Sequence, residues 1–231
     1  MLDFGFYNMD CMEGMKQFPD KYFDLAIVDP PYFEGPNKRG YYGSKVNKLN
    51  IRRRDYPITQ NWDVPDEAYF SELFRVSKNQ IVWGENYYSQ QFGFGRIIWD
   101  KVNGSSSFSD CEIAYCSMHD SVRLIRYMWN GMMQGKSLAE GHIQQGNKTL
   151  NEKRIHPCQK PVLLYAQLLQ RYAKPGDKIL DTHVGSASSL IACHKMQYDY
   201  VGFEIDEVYY KKACERIEAE SLTWGLENAS K

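Results

Sequence analysis

Short apolar runs recur along the chain, and several are closed by an acid or a glycine. Asp24-Leu25-Ala26-Ile27-Val28 ends at Asp29, and Gln80-Ile81-Val82-Trp83 ends at Gly84. Arg96-Ile97-Ile98-Trp99 ends at Asp100, Lys178-Ile179-Leu180 at Asp181, and Tyr200-Val201-Gly202-Phe203 at Glu204. Runs this short and this continuous are the pattern of strands covered on both faces, as in parallel sheets. Between them, apolar residues at spacings of three and four predict helices. One covers Asp66 to Val76, through Ala68, Tyr69, Leu73 and Val76; another covers Pro161 to Ala173, through Leu164, Leu168, Leu169 and Tyr172. Pro161 suits a first helical position, and Lys174-Pro175-Gly176-Asp177 stops the helix and turns the chain. Ser188–Lys195 and Asp206–Ala219 complete the set. Strands alternating with helices in this way predict an α/β fold with a mostly parallel, doubly wound sheet.

Two stretches do not fit that alternation. Residues 34–56 hold seven basic side chains (Lys38, Arg39, Lys45, Lys48, Arg52, Arg53 and Arg54) against Glu34 and Asp55, a local charge of 7 − 2 = +5. Residues 103–154 are rich in Ser, Gly, Gln and Asn, interrupted by Phe108, Tyr115, Tyr127 and Trp129. They are expected to be a basic loop over residues 34–60 and a recognition insert over 103–154, on a single domain spanning 1–231. The overall charge is −1, from 28 Lys and Arg against 29 Asp and Glu. That excludes a uniformly basic nucleic-acid coat but leaves room for a local patch, because steering depends on where charge sits. No apolar run approaches the roughly 18–20 residues of a membrane span, and the N-terminus has no secretory pattern. The six cysteines include no CxxC pair, and His119, His142 and His194 share no metal-ligand spacing, so neither a disulfide framework nor a metal site is expected.

The sharpest chemical signal is Asp29-Pro30-Pro31-Tyr32, behind an apolar strand and ahead of the basic stretch. Two prolines stiffen the backbone and remove two N–H donors. They present a carboxylate and an aromatic ring together at the C-terminal edge of a strand, where open α/β sheets bind ligands. The pairing suits a planar substrate with an exocyclic amine. Tyr32 stacks on its face, while Asp29 and the Pro30 carbonyl accept its N–H groups and stabilise positive charge developing on nitrogen. The plainer alternative is a proline turn after a strand. A second signal, Asp181-Thr182-His183-Val184-Gly185-Ser186-Ala187-Ser188-Ser189, joins a strand to a helix through small residues that let a ligand approach the backbone at a helix N-terminus. Taken alone it is equally a tight turn. Glu204 closes the next strand, 23 residues beyond Asp181, where nucleotide-binding folds place a ribose-binding carboxylate. Trp83 and Trp99, at the ends of apolar strands, read as core rather than as base-stacking platforms.

Together these motifs resemble the β-type, permuted family of DNA amino-methyltransferases, over nearly the whole chain. In that family the DPPY motif precedes the glycine-rich cofactor motif; here 152 residues separate Asp29 from Asp181. Asn8-Met9-Asp10-Cys11 resembles the family's opening, and His156-Pro157-Cys158-Gln159-Lys160-Pro161 its HPTQKP-like segment. Residues 75–84 and Trp99-Asp100-Lys101 are most similar to phage-type adenine methylases. The resemblance implies a Rossmann-like, S-adenosylmethionine-dependent methyltransferase fold with permuted motif order. It implies site-specific transfer of a methyl group to adenine N6 of a flipped base in double-stranded DNA, in a bacterial or phage-encoded cytoplasmic protein, with a homodimer plausible. It implies catalytic roles for Asp29, Pro30, Pro31 and Tyr32, and phosphate contacts for Lys38, Arg39, Arg52, Arg53 and Arg54. Cofactor contacts fall to Asp10 (adenine), Cys11, Lys160, Asp181, His183, Gly185, Ser186, Ser188, Glu204 (ribose) and Asp206. The chain departs from the family pattern at His183, usually Phe, and at Ala187, usually Gly. Three alternatives stay open: cytosine N4 as the acceptor, though that branch more often has Ser at the position of Asp29; RNA adenine, though such enzymes more often run the cofactor motif first; and a non-catalytic nucleic-acid-binding module.

Overall fold

A computed structural model describes residues 1–32, 56–57, 62–104, 109–130 and 133–229, with side chains up to 221. Its core is an eight-stranded sheet. Five strands run parallel in the spatial order β1 (Gly5–Tyr7), β10 (Asp199–Phe203), β9 (Lys178–Asp181), β2 (Phe23–Val28) and β3 (Ser77–Trp83). β5 (Cys111–Cys116) then pairs antiparallel with β3, and beyond it lie β4 (Arg96–Asp100) and β6 (Val122–Arg126). A two-stranded ribbon, β7 (Trp129–Asn130) with β8 (Met133–Gln134), stands apart.

The continuous apolar runs are explained by helices on both faces. Leu25 and Ile27 of β2, Ile81 and Trp83 of β3 and Ile179 of β9 pack into one apolar cluster. There they meet α3 (Val162–Tyr172), α4 (Ser188–Lys195) and α5 (Glu207–Ala229), through Leu164, Leu168, Leu190, Ile191 and Ala213. The intervening Ala26, Val28, Val82 and Leu180 pack on the other face. That second cluster is closed by α1 (Cys11–Met15) and α2 (Glu67–Val76), through Met15, Phe70, Leu73 and Val76. Alternate residues of one strand thus serve opposite cores, so neither set can be polar. The expected elements appear close to their predicted bounds, with the last helix running on to Ala229. Among the described residues no helix is long and apolar enough to cross a membrane.

The connections set the position of the site. β9 passes through α4 to β10 on one side, while β2 leads to β3 on the other, so the chain leaves the neighbouring strands β9 and β2 in opposite directions. A crevice opens at such a switch point, beyond the C-terminal ends of the strands. The structure also redraws the expected 103–154 insert. Its middle supplies β5 and β6 to the main sheet, and the described residues of 127–154 lie outside it. Three strands of the main sheet, β1, β5 and β6, and the β7–β8 ribbon are absent from the sequence-based expectation, and β5 breaks the all-parallel run.

The β4–β5–β6 junction closes over Gly95. A Cβ there would lie 1.9 Å from the His119 carbonyl oxygen and 2.2 Å from that of Cys116, both main-chain atoms that cannot swing aside. Gly95→Ala is expected to destabilise the protein by about 3 kcal/mol, which lowers Tm by about 6–12 °C for a chain of this size. Gly146→Ala, where nothing lies within 4 Å, should stay within about 0.5 kcal/mol of the parent. Thermal unfolding of the two variants checks both.

Candidate active site

A cavity of about 350 Å³ occupies the switch point. β2 delivers Asp29, Pro30, Pro31 and Tyr32 to its wall, and the loop after β9 delivers His183, Gly185, Ser186 and Ser188. Asp10 and Cys11 enter from the start of α1, Glu204 from the end of β10, and Lys160 from the segment before α3. Twelve of the fourteen catalytic and cofactor residues expected from sequence therefore meet in one space, though Asp29 and Glu204 are 204 − 29 = 175 residues apart. Lys38, Arg39, Arg52, Arg53 and Arg54 lie outside the described residues.

The DPPY segment is held from several sides. The Tyr88 hydroxyl donates to the Pro30 carbonyl at 2.8 Å, and the Trp62 indole N–H donates to the Tyr32 carbonyl at 3.4 Å. The Tyr32 ring lies parallel to Tyr87, with centroids 4.7 Å apart and planes 4° apart. It also sits where a Cβ on Gly84 would be, 2.6 Å from ring carbon Cδ1; Gly84 has φ +69°, so two constraints select glycine there.

The two oxygens of Asp29 differ. Oδ2 pairs with the Lys160 ammonium, whereas Oδ1 is buried with no hydrogen-bond partner among the described residues. Burial pushes the Asp29 carboxyl above the ordinary range, against the pull of Lys160. Lys160 is only 4% exposed. Its ammonium also contacts Glu112 Oε2 at 3.0 Å and lies 5.4 Å from the centre of the buried Trp83 ring. Burial works against its charge, but Asp29 and Glu112 hold it above the usual lysine value. Glu112 in turn binds Lys101. Burial opposes ionisation of Glu112, yet Lys160 and Lys101 outweigh it and hold the carboxyl down at about 2.

The second loop is a set of oriented carboxylates and N–H groups. Glu204 accepts Gly185 N–H on Oε2 at 2.8 Å and Asp206 N–H on Oε1 at 2.9 Å. Burial nonetheless pushes it up to about 6. Asp181 does not line the cavity. It sits behind the loop, accepting His183 N–H at 3.0 Å and the Ser189 hydroxyl, with burial raising it to about 7. Asp206 does not line it either; its Oδ1 caps α5 by accepting from Val208 and Tyr209 N–H at 2.9 and 3.1 Å. Asp10 caps α1 through Oδ1, on Met12 and Glu13 N–H. His183 stays neutral, because burial lowers it to about 3, and its Nδ1 pairs with Thr182 Oγ1 at 2.9 Å. Gly185 and Ala187 both have positive φ, +54° and +64°, and α4 begins with no side-chain cap, so its first N–H groups are not taken by a capping side chain.

Sequence reasoning missed several wall residues. Trp62, Tyr69, His156, Cys158, Tyr165 and Tyr209 line the cavity, and Glu112 and Lys101 stand behind it. His156 and Cys158 lie inside the HPCQKP segment, which was the available signal. Trp83 and Trp99 are core residues, 0% and 1% exposed, as their sequence positions suggest.

Comparison with known proteins identifies the architecture. A family model described as DNA methylase matches residues 44–215. The type II methyltransferase M.HinfI of Haemophilus influenzae is 22% identical over 242 residues, covering 90% of this chain and 66% of its own length. M2.DpnII of Streptococcus pneumoniae is 24% identical over 247 residues, covering 94% of this chain and 90% of its own. Among solved structures, the M1.HpyAVI–SAM complex superimposes with TM-score 0.51 at 14% identity, over 91% of this chain and 98% of the other. The cytosine-N4-specific PvuII DNA methyltransferase gives 0.55 at 13%, over 97% and 92%. Likeness at these identities speaks for a shared fold, whereas the family model spans most of the chain, from residue 44 through the HPCQKP segment, the Asp181 loop and Glu204, with the DPPY segment lying ahead of the match. The chain belongs to the N6/N4 DNA methylase family.

Proposed function

We propose that the protein transfers a methyl group from S-adenosylmethionine to N6 of an adenine turned out of double-stranded DNA. The observation that carries this reading is Asp29 Oδ1, a buried acceptor without a donor among the described residues, on the cavity wall beside the Tyr32 ring. An unsatisfied buried acceptor is costly unless a ligand completes it. A donor on a planar, stackable ring answers both features, and a base that reacts at its amine must leave the duplex to reach them. Asp, rather than Ser, at the head of the motif favours adenine over cytosine.

The residues present fit the cofactor. Glu204 has both oxygens aimed by backbone N–H groups, which leaves lone pairs for a pair of ribose hydroxyls. Asp10 and Cys11 suit the adenine, and Gly185, Ser186 and Ser188, at the start of α4, suit the methionine carboxylate. The cofactor, when bound, supplies an electrophilic methyl group on a sulfonium. The chain's own residues do the rest. Tyr32 holds the face of the base, and Asp29 Oδ1 accepts one amine hydrogen. The Pro30 carbonyl keeps a lone pair besides the one facing Tyr88. Together they pull the amine toward tetrahedral geometry and stabilise the positive charge that grows there. The proton leaves after attack, so no strong base is required, and neutral His183 is not needed as one. Asp181 and Asp206 act from outside the cavity, fixing the loop and the helix start. Lys38, Arg39 and Arg52–Arg54 take phosphate contacts, and residues 127–154 carry target recognition.

The wild-type protein is expected to move tritium from labelled cofactor to duplex DNA, with the label recovered as N6-methyladenine on nucleoside analysis. Asp29→Ala should lose at least about a hundredfold in rate while still binding cofactor. Label in N4-methylcytosine would transfer the reading to cytosine, and no label in DNA would overturn it.

Glu204 adds a pH dependence. Its folded value, about 6, lies above the ordinary 4.5, so below about pH 6 the free protein holds a proton that hydroxyl binding must displace. Cofactor affinity should therefore be level above about pH 7 and weaken as pH falls through 6, by up to about tenfold per unit. In Glu204→Gln, binding should be weaker and lose this dependence. Calorimetric titrations between pH 5 and 8 provide the check.

A further inference from the structure

Lys101, Glu112, Lys160 and Asp29 form one line of alternating charge running from the end of β4 into the cavity. Lys101 binds Glu112 Oε1, Glu112 Oε2 meets Lys160 at 3.0 Å, and Lys160 ends on Asp29 Oδ2. The line is walled by two tryptophans: the Lys160 ammonium lies 5.4 Å from the Trp83 ring centre and the Lys101 ammonium 5.4 Å from that of Trp99. Those rings meet edge to face at 6.2 Å. Only Asp29 and Lys160 of the four line the cavity.

We infer that Glu112, balanced by Lys101, is a positioning residue for methyl transfer, sharing the Lys160 ammonium so that it does not neutralise Asp29 outright and leaves one Asp29 oxygen for the amine. The inference rests on the reading of Asp29 as the amine acceptor. An ammonium with a single carboxylate partner settles on it and cancels its charge where positive charge must be stabilised. A second carboxylate on the same ammonium restores the balance, and in a low-dielectric, water-poor setting that redistribution is felt strongly. Lys101 keeps Glu112 ionised without adding net charge. Geometry works in the same direction: Lys160, held on both sides, occupies Oδ2 and so leaves Oδ1 to the substrate.

A purely structural ion pair would alter folding or binding; a positioning pair alters the chemical step. The test uses the full chain, tritiated S-adenosylmethionine and duplex DNA, in single turnover, with cofactor affinity and thermal unfolding measured on the same samples. Glu112→Gln keeps the shape and removes the charge. It is expected to slow methyl transfer by about tenfold to a hundredfold, less than loss of a group touching the reacting atoms, with cofactor Kd and DNA KM within about twofold of the parent. Glu112→Asp should recover part of the rate. Lys101→Met should show a smaller loss, and the double variant should be no slower than Glu112→Gln, because the two act as one unit. A Glu112→Gln protein as fast as the parent, or slowed only in proportion to weaker cofactor binding, overturns the inference and leaves Asp29 as acceptor. If Glu112→Gln does not fold, Lys101→Met decides, and an unchanged rate there overturns it too. A parent protein inert on DNA overturns this inference together with the methylation reading.

Discussion

The Lys160 ammonium constrains the structure more than any other group. A cation 4% exposed cannot stay charged without anions at hand, and its two come from different parts of the sheet. Asp29 follows β2, but Glu112 sits near the start of β5, and strand direction brings it within reach. Because β5 runs antiparallel to β3, with Trp83 opposite Ala114, its first residues lie at the C-terminal edge where the parallel strands also end. A parallel strand in that place would have brought its last residues instead. The reversal that breaks the Rossmann-like sheet is thus what brings a second carboxylate to Lys160. A buried pair of this kind is weak evidence for stability, since burying the charges costs as much as pairing returns. Its value here is the orientation it gives Asp29.

Three acids stand at the ends of adjacent strands, Asp29 after β2, Asp181 on β9 and Glu204 after β10, and burial raises all three. Their surroundings give them separate tasks. Of the three, Asp29 alone has an ammonium, which works against the burial that raises it. Asp181 has only neutral donors, Ser189 and the His183 N–H, and at about 7 it is a structural group near half-protonation. Glu204 has two backbone N–H groups and sits between them, ionised at neutral pH and open to hydroxyl donors. Carboxyl groups at three neighbouring strand ends thus differ by their partners alone, and the proposed roles of acceptor, brace and diol ligand follow from those partners.

Much of this was legible in the sequence because parallel strands, buried on both faces, leave unbroken apolar runs closed by the residues that act. That is why the DPPY segment, the loop from Asp181 and Glu204 could be placed before any coordinates. What escaped follows a different rule. β5 reads Cys-Glu-Ile-Ala-Tyr-Cys and β6 reads Val-Arg-Leu-Ile-Arg, with Val122 and Leu124 exposed at the sheet edge. Half-covered strands such as these carry charges within the run, and in a stretch rich in Ser and Gly they look like loop. Glu112 and Lys101 were invisible as site residues for the same reason. Their roles depend on β4–β5 register, which sets Trp99 opposite Glu112, and register is not written in either strand alone. Asp10, Asp181 and Asp206 were read as ligands from their motifs, yet each also does backbone work that spacing does not reveal.

The loop from Asp181 to Ser189 shows how the remaining chain supports the site. Ala187 holds φ +64° with a side chain present, a conformation that costs about 1–2 kcal/mol and lasts only where the surroundings enforce it. The enforcement comes from Arg216 of α5, which donates to the Ser186 carbonyl at 2.6 Å and to Ser188 Oγ at 3.0 Å. Arg216 also pairs with Glu152 at 2.5 Å. Glu152 accepts Val162 N–H at the start of α3 and exchanges two hydrogen bonds with Gln134 of β8. The loop, the helix after Lys160 and the segment 127–154 are therefore fastened at one buried ion pair. Residues far apart in the chain hold the strained loop in shape, and the stretch that lies outside the main sheet is tied to it through the same carboxylate.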